Sequence, residues 1–326
     1  FYMTRIPVLL FLIILFAVAP VIASEKSKPK PFVLDNDTIE ITVASRAGGS
    51  PDYIVRNLAA YYDKIFGAST IIHNIEGLSG ENGFQRFLRQ DASINDWIIL
   101  QETVLTANPK RFKNSDDDPF RGLELMRTIA KSHFYLIVRT SDSIQTFEDF
   151  VEKTSTGDNP LLYGTGGIAT LHHLAMEEVA ESLKLKVRHI PFRSNSQAVQ
   201  GLLSGDVRAI MAGASALPLV RNGDLRIIAV TAPDFMEPFP DIPPLSKFIP
   251  GFEARNWFAL FLKKGIEKNE LEMLQQRIET VVMLPDFQQA IGHRYQWEFY
   301  LPAPALKELI KTEQQQFQNM LEERQH

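Results

Sequence analysis

The 326-residue sequence contains no cysteine. This absence excludes disulfide bonds, a thiol nucleophile and every zinc or iron–sulfur site that depends on cysteine ligands. A chain that is 45% hydrophobic and of this length can bury a large core without such cross-links. No other spacing of metal ligands is present, so we expect neither a metal nor a cofactor.

The sequence also lacks an excess of basic residues and long runs of one charge. Lys and Arg total 34 against 39 Asp and Glu, which gives a formal net charge of −5. Nucleic-acid-binding surfaces depend on clustered positive charge, so we do not expect a nucleic-acid partner. The length favours two domains.

Long apolar runs are missing except at the N-terminus. Arg5 precedes the apolar run 8–18. Residues 21–23 have side chains suitable for a cleavage site, and polar Ser24 follows them. This order is typical of a secretory signal peptide, residues 1–23, cleaved near Ala23. The alternative is a retained membrane anchor, although the run is short for the ~20 residues of a span. We expect an exported, soluble mature protein.

Strand and helix patterns alternate in two blocks. In the first, a strand at 39–43 precedes a helix with Ser50 as N-cap that ends at Gly67, and strands follow at 70–73 and 97–100. The second block repeats the alternation from 134 to 231 and includes a helix at 143–152. Such alternation predicts a parallel sheet in each of two α/β lobes.

Two glycine-rich turns each join a predicted strand to a predicted helix. The first spans residues 47–52, and the second runs from Tyr163 to Thr170. Glycines allow an anion to approach the unpaired N–H groups at a helix start, so each turn is a candidate anion site. The alternative is an ordinary tight turn that binds nothing. Neither turn fits a dinucleotide or P-loop motif.

Several ordered blocks resemble the substrate-binding receptors of tripartite tricarboxylate transporters, the Bug family. Residues 41–52 resemble the family's first strand and its Ala-Gly-Gly-x-x-Asp turn. Residues 163–175 resemble its Tyr-Gly-Ser/Thr…His-Leu-Ala block, and 189–193 its His-Val-Pro-Tyr-Lys block. The resemblance extends from about residue 38 to the end of the chain.

The resemblance implies a two-lobed type II periplasmic binding protein, with two Rossmann-like α/β domains joined by hinge strands. Lobe 1 would comprise residues 24–135 and 250–326, and lobe 2 residues 136–249. It also implies a periplasmic, non-enzymatic monomer that binds a small carboxylate and serves the membrane subunits of such a transporter.

Carried onto this sequence, the family's two loops give the predicted ligand-binding residues. These are Arg46, Ala47, Gly48, Gly49, Ser50 and Asp52 in the first turn, and Gly164, Thr165, Gly166, Gly167, Ala169, Thr170 and His173 in the second. No catalytic residue is predicted.

The sequence departs from the family pattern at both turns. Arg46 stands where an apolar residue or proline is usual, and its guanidinium either pairs with a second ligand carboxylate or faces solvent. Ile168 and Ala169 replace Asn-Gly, which makes the second turn more apolar. Two alternatives to transport stay open, namely a ligand sensor for a membrane partner and an exported hydrolase that uses Ser215 or Thr170 with a histidine.

Overall fold

The computed structural model describes residues 38–107, 118–168, 170–293 and 296–323. All of them belong to one structural unit, Asn36–His326. The predicted signal peptide and Ala169 lie outside the described residues.

Eleven strands lie in the described ranges. They are β1 (Thr38–Val43), β2 (Ser69–Asn74), β3 (Asp96–Gln101), β4 (Leu123–His133), β5 (Tyr135–Arg139), β6 (Leu161–Thr165), β7 (Val187–Pro191), β8 (Ala209–Ala212), β9 (Leu225–Val230), β10 (Arg255–Lys263) and β11 (Trp297–Glu298).

Ten helices accompany them in the same ranges. They are α1 (Ser50–Phe66), α2 (Glu81–Leu88), α3 (Glu102–Thr106), α4 (Phe147–Thr156), α5 (Leu171–Ser182), α6 (Asn195–Ser204), α7 (Leu217–Arg221), α8 (Lys268–Val282), α9 (Pro285–Gly292) and α10 (Ala303–Glu323).

The strands form two sheets, which confirms the predicted two-lobed α/β architecture. Sheet 1 has the order β11-β4-β10-β3-β1-β2, and sheet 2 has the order β7-β6-β8-β5-β9. The pairs around β1 and β6 are parallel, as the alternating pattern predicted. The remaining pairs are antiparallel, so both sheets are mixed rather than purely parallel.

Burial follows the position of each strand in its sheet. The four central residues of β3, 97–100, are apolar and buried because helices cover both faces of the sheet there. The edge strand β2 instead alternates between exposed and half-buried positions. On α1, the buried residues Ile54, Leu58 and Tyr62 recur at helical spacing and pack onto sheet 1.

The chain passes between the sheets at two places, which meet at Thr231. Phe134 is the single residue between β4 and β5, and the return path covers residues 231–254. The buried Thr231 hydroxyl accepts a hydrogen bond from the Phe134 N–H (2.8 Å) and donates one to the Ala254 carbonyl (2.5 Å). Thr231 therefore links both crossings at the hinge.

Two local predictions from the sequence are wrong, and one strand was missed. The N-cap of α1 is Gly49, and Ser50 is the first helical residue. The helix expected at 143–152 begins at Phe147, because Thr146 and Asp149 form a reciprocal capping box. The 11-residue strand β4 was not predicted at all.

Within the described ranges, no helix combines the length and apolar character that crossing a bilayer requires.

Candidate functional site

The carboxylate of Asp52 organises the first glycine turn. Its Oδ2 accepts hydrogen bonds from the Gly48 N–H (2.8 Å) and from Arg56 Nε (2.9 Å), and its Oδ1 accepts one from Asn74 Nδ2 (2.9 Å). Burial acts to raise the pKa of Asp52. The hydrogen bonds from Arg56, Gly48 and Asn74 outweigh burial, so this pKa lies below its ordinary value.

The two glycine amides of this turn already have partners within the protein. Gly48 N–H donates to Asp52, and Gly49 N–H donates to the Arg46 carbonyl (3.3 Å). Gly48 has a φ of +79°, a conformation that favours glycine. A ligand carboxylate at Gly48 would have to compete with Asp52. The residues Arg46, Ala47 and Ser50 are exposed.

The second glycine turn packs against the start of α6. A methyl group at Gly166 would lie 2.4 Å from Asn195 Oδ1 and 2.7 Å from Asn195 N, and one at Gly164 would lie 2.8 Å from the Phe192 ring. These two glycines are therefore required by close packing. Thr170 is the N-cap of α5, since its hydroxyl accepts the His173 N–H (3.3 Å).

Aromatic rings stack beneath the second turn. The His173 and His189 ring centroids are 3.9 Å apart, and Tyr163 stacks on His189 at 5.0 Å. Glu177 contacts His173 Nε2 at 3.3 Å and accepts a hydrogen bond from the Tyr163 hydroxyl. Thr165 Oγ1 lies 2.8 Å from His189 Nε2, which connects the stack to the turn. The fully buried His173 thus supports the turn from below.

A cavity of about 360 Å³ lies between structural elements of the two sheets. We call it the interlobe cavity. Its lining residues are Ser79, Gln101, Thr103, Ala107, Asn256 and Phe317 from the sheet 1 side, and Gly166, Ile168, Thr170, Leu171, His172 and Asn195 from the sheet 2 side. None of these twelve residues is Asp, Glu, Lys or Arg, so hydroxyl, amide and imidazole groups supply its polarity.

The interlobe cavity includes only part of the predicted site. Gly166 and Thr170 line it, whereas the first glycine turn and His173 do not. Arg46 is exposed and does not line the cavity. The ligand-binding role of the thirteen residues named from the sequence therefore stays a prediction.

Sequence reasoning missed all six residues on the sheet 1 side of the cavity. Gln101 is the last residue of β3, and its side-chain amide donates to Thr103 Oγ1 (2.8 Å) at the start of α3. Polar residues just after a strand in an α/β sheet are a usable signal, because ligands bind at the carboxyl ends of such strands. Asn256 and Phe317 reach the cavity only through long-range packing.

Two polar atoms of cavity-lining residues are buried without a hydrogen-bond partner among the described residues. They are His172 Nε2 and Asn195 Oδ1. The His172 ring packs on Phe134 with centroids 4.2 Å apart. Burial lowers the pKa of His172 to about 4, so the ring is neutral near pH 7.

The alternatives of a metal site and a Ser215 nucleophile can be compared with the described side chains. These side chains contain no group of three potential metal ligands. Ser215, the candidate nucleophile, is exposed in a short 3₁₀ turn, Ala214–Ala216, and no hydrogen bond joins it to a described histidine.

The two mixed α/β sheets, joined by hinge crossings around a polar cavity, define the class of two-lobed solute-binding proteins. The model of the tripartite tricarboxylate transporter family receptor, TctC, matches residues 54–325. The chain belongs to this family, which confirms the resemblance seen in the sequence. The family and its structural neighbours are substrate-binding proteins.

Relatives and solved structures agree with this assignment. The "UPF0065 protein in gbd 5'region" of Cupriavidus necator is 26% identical over 254 residues, which cover 78% of this chain and 77% of that protein. Protein BugT of Bordetella pertussis is 21% identical over 249 residues, covering 75% and 76% of the two chains.

The likeness to solved structures shows the fold. A TctC solute-binding protein from Polaromonas has a TM-score of 0.73 at 20% identity, covering 88% of this chain and 98% of that one. An R. palustris protein with adipate has a TM-score of 0.73 at 19% identity, covering 87% and 96%. MatC from Rhodopseudomonas palustris with bound malate has a TM-score of 0.66 at 18% identity, covering 87% and 98%.

Proposed function

We propose that this protein is a periplasmic receptor that captures a small organic carboxylate in the interlobe cavity. The observation that carries the proposal is the position of the cavity, which is lined from both sheets at the ends of strands and starts of helices. Its volume of about 360 Å³ suits a small molecule. Two structural neighbours are described with the carboxylates adipate and malate.

The grip on the carboxylate would come from neutral groups. The Thr103 hydroxyl, which accepts the Gln101 amide, is a suitable donor to an anion. The Thr170 hydroxyl already donates to the Gly167 carbonyl (3.1 Å), and the Gly48 and Gly49 N–H groups already donate within the first turn, so these three groups would have to exchange their present acceptors for the ligand. Thr103 and Thr170 line the cavity from opposite sheets, so closure about the Thr231 hinge would bring both to one ligand. On closure of the two lobes, the first glycine turn would also reach the ligand, with Arg46 at the edge of that turn.

The proposal extends to the cellular setting. The receptor would be exported by its signal peptide, act as a monomer with lobes divided near residues 135 and 250, and deliver its ligand to the membrane subunits of a tripartite tricarboxylate-type transporter. Family membership supports the transport role.

A thermal-shift panel of mono-, di- and tricarboxylates tests the binding step. A ligand at 100 times its Kd should stabilise the protein by about 2.7 kcal/mol. If no acid in the panel raises the melting temperature, the proposal is wrong.

A pair of charge variants locates the site. Ile168 lines the cavity and is 55% exposed, while Ile71 on β2 lies outside it and is 46% exposed. Ile168→Glu should weaken carboxylate binding about tenfold or more through charge repulsion. Ile71→Glu adds the same charge elsewhere and should leave binding unchanged. Equal loss in both variants would contradict a site in this cavity.

A further inference from the structure

Two residues that line the interlobe cavity each have a buried polar atom with no hydrogen-bond partner among the described residues. His172 Nε2 and Asn195 Oδ1 are both buried without a partner in the described part of the chain. A buried polar group without a partner is costly, and a ligand that supplies the partner recovers that cost. The ligand should therefore have a group that can form hydrogen bonds with these two atoms.

His172 is held in place by apolar packing rather than by its Nε2. The residue is 8% exposed, lines the cavity, and its ring contacts Phe134 at 4.2 Å next to the hinge. A methyl group at Gly213 would lie 3.5 Å from Nε2, so the glycine keeps space beside this atom. Because burial keeps the imidazole neutral, its Nε2 offers a hydrogen bond without adding charge.

Asn195 lies on the same side of the cavity, at the first residue of α6. Its Oδ1 lies against Gly166 of the second glycine turn, where a side chain on residue 166 would collide with it. The turn and the amide therefore form one surface. That surface adds a side-chain amide to the cavity beside the backbone of the turn.

A hydroxyl group matches both residues best. An ionised carboxylate only accepts hydrogen bonds, so it cannot satisfy the acceptor Asn195 Oδ1. A hydroxyl both donates and accepts, so it satisfies an amide in either orientation and an imidazole in either tautomer. A cationic amino group would lack a counter-charge among the described lining residues, which include no Asp or Glu.

We propose that the receptor selects hydroxy acids, and that His172 and Asn195 are the specificity-determining residues that recognise the ligand hydroxyl. This inference rests on the proposed function, since it assumes a carboxylate ligand in the interlobe cavity. It adds the second functional group of that ligand and the residues that bind it.

Calorimetric titration with matched acids tests the inference. The pairs are malate and succinate, 2-hydroxyglutarate and glutarate, and 3-hydroxybutyrate and butyrate, with aspartate and glutamate as amino counterparts. Within at least one series, the hydroxy acid should bind about tenfold or more tighter than both its deoxy and its amino counterpart, because a site with unpaired polar groups rejects an analogue that cannot pair them.

Variants then assign the selectivity. His172→Phe keeps a ring of similar size against Phe134 and removes Nε2, while Asn195→Ala tests the second contact independently. In each, the ratio of hydroxy to deoxy affinity should fall at least threefold while deoxy binding persists. The control His73→Phe replaces an exposed histidine of β2 and should retain the ratio. Circular dichroism checks that each variant is folded.

The outcomes separate this inference from the proposed function. The hydroxy-acid inference would be overturned, with carboxylate binding left intact, by equal affinity for hydroxy and deoxy acids, by a preference for the amino acids, or by an undiminished ratio in either folded variant. If none of the acids binds, the proposed function itself fails, and the inference fails with it.

Discussion

Replacing Glu102 with glutamine should make the free energy of unfolding less dependent on pH. Glu102 is buried at the start of α3, where its Oε2 accepts the Trp257 N–H at 3.1 Å. The same tryptophan donates its indole N–H to Glu313 Oε2 at 3.1 Å. Burial, with the nearby charge of Glu313, raises the pKa of Glu102 to about 8 from an ordinary 4.5.

The sign and size of the effect follow from proton binding. Between pH 4.5 and 8 the folded protein retains a proton on Glu102 that the unfolded chain releases, so stability falls as pH rises. At ~1.4 kcal/mol per pH unit, the change from pH 5 to pH 7 amounts to about 3 kcal/mol. Glutamine keeps an acceptor for Trp257 and has no proton to release, so this contribution disappears.

Urea denaturation of both proteins at pH 5 and pH 7 measures the difference. The stability of Glu102→Gln relative to the unmodified protein should rise by about 3 kcal/mol between the two pH values. Glu308→Gln, at an exposed position of α10, is the control and should show no such rise. A stability difference that is the same at both pH values would refute the raised pKa and the burial argument behind it.

Two further substitutions test the turn and the hinge. Asp52→Asn should cost about 1–3 kcal/mol at pH 7 because it weakens the bonds to Gly48 and Arg56. Because the pKa of Asp52 is lower in the folded protein than its ordinary 3.8, ionised Asp52 stabilises the fold above pH 3.8, and this stabilisation is lost as the pH falls through the folded-state pKa. The cost of Asp52→Asn should therefore be smaller at pH 3 than at pH 7, as measured by unfolding curves at both values. An unchanged cost would contradict the lowered pKa. Thr231→Val should lower the free energy of unfolding by about 1–3 kcal/mol, because it leaves the buried Phe134 N–H unpaired. The control Thr280→Val, on the exposed face of α8, should cost less than about 1 kcal/mol. Equal costs of the two variants in urea denaturation would argue against a role of Thr231 in linking the two crossings.

The sequence was most informative where burial and local periodicity agree. The apolar strand β3 and the α1 helix, which ends at Gly67 in a left-handed conformation, were predicted from short segments alone. Ser50 was assigned as N-cap because serine favours that position. The glycine before it has the extended backbone of the cap, and Pro51 is accommodated in the first helical turn.

Longer-range features were not accessible in the same way. β4 lies between β10 and the two-residue edge strand β11 in sheet 1, and its sequence contains Arg127, Thr128 and Lys131 and lacks a continuous apolar run. Arg127 is buried there because Glu279 and Glu298, from distant parts of the chain, each approach it at 2.8 Å. Only the tertiary structure provides those partners, so no local pattern predicts this strand.

The candidate site shows the same division. Each glycine turn can be recognised in the sequence, but the full set of side chains that hydrogen-bond within the first turn cannot. The bond from Gly48 to Asp52 spans only four residues, whereas the Asn74 contact depends on the pairing of β1 with β2. That His172 Nε2 and Asn195 Oδ1 have no partner among the described residues can be recognised only when the surrounding packing is known.

The hinge also has a consequence for how such receptors diversify. The chain leaves sheet 1 after His133 and returns to it at Arg255. These two residues are cross-strand partners. Residues 134–254 are therefore a continuous insertion whose two ends lie side by side. A single recombination of that segment would exchange one wall of the interlobe cavity, including His172 and Asn195, while leaving the other wall unchanged. The topology thus allows new ligand specificities to arise by shuffling halves as well as by point mutation.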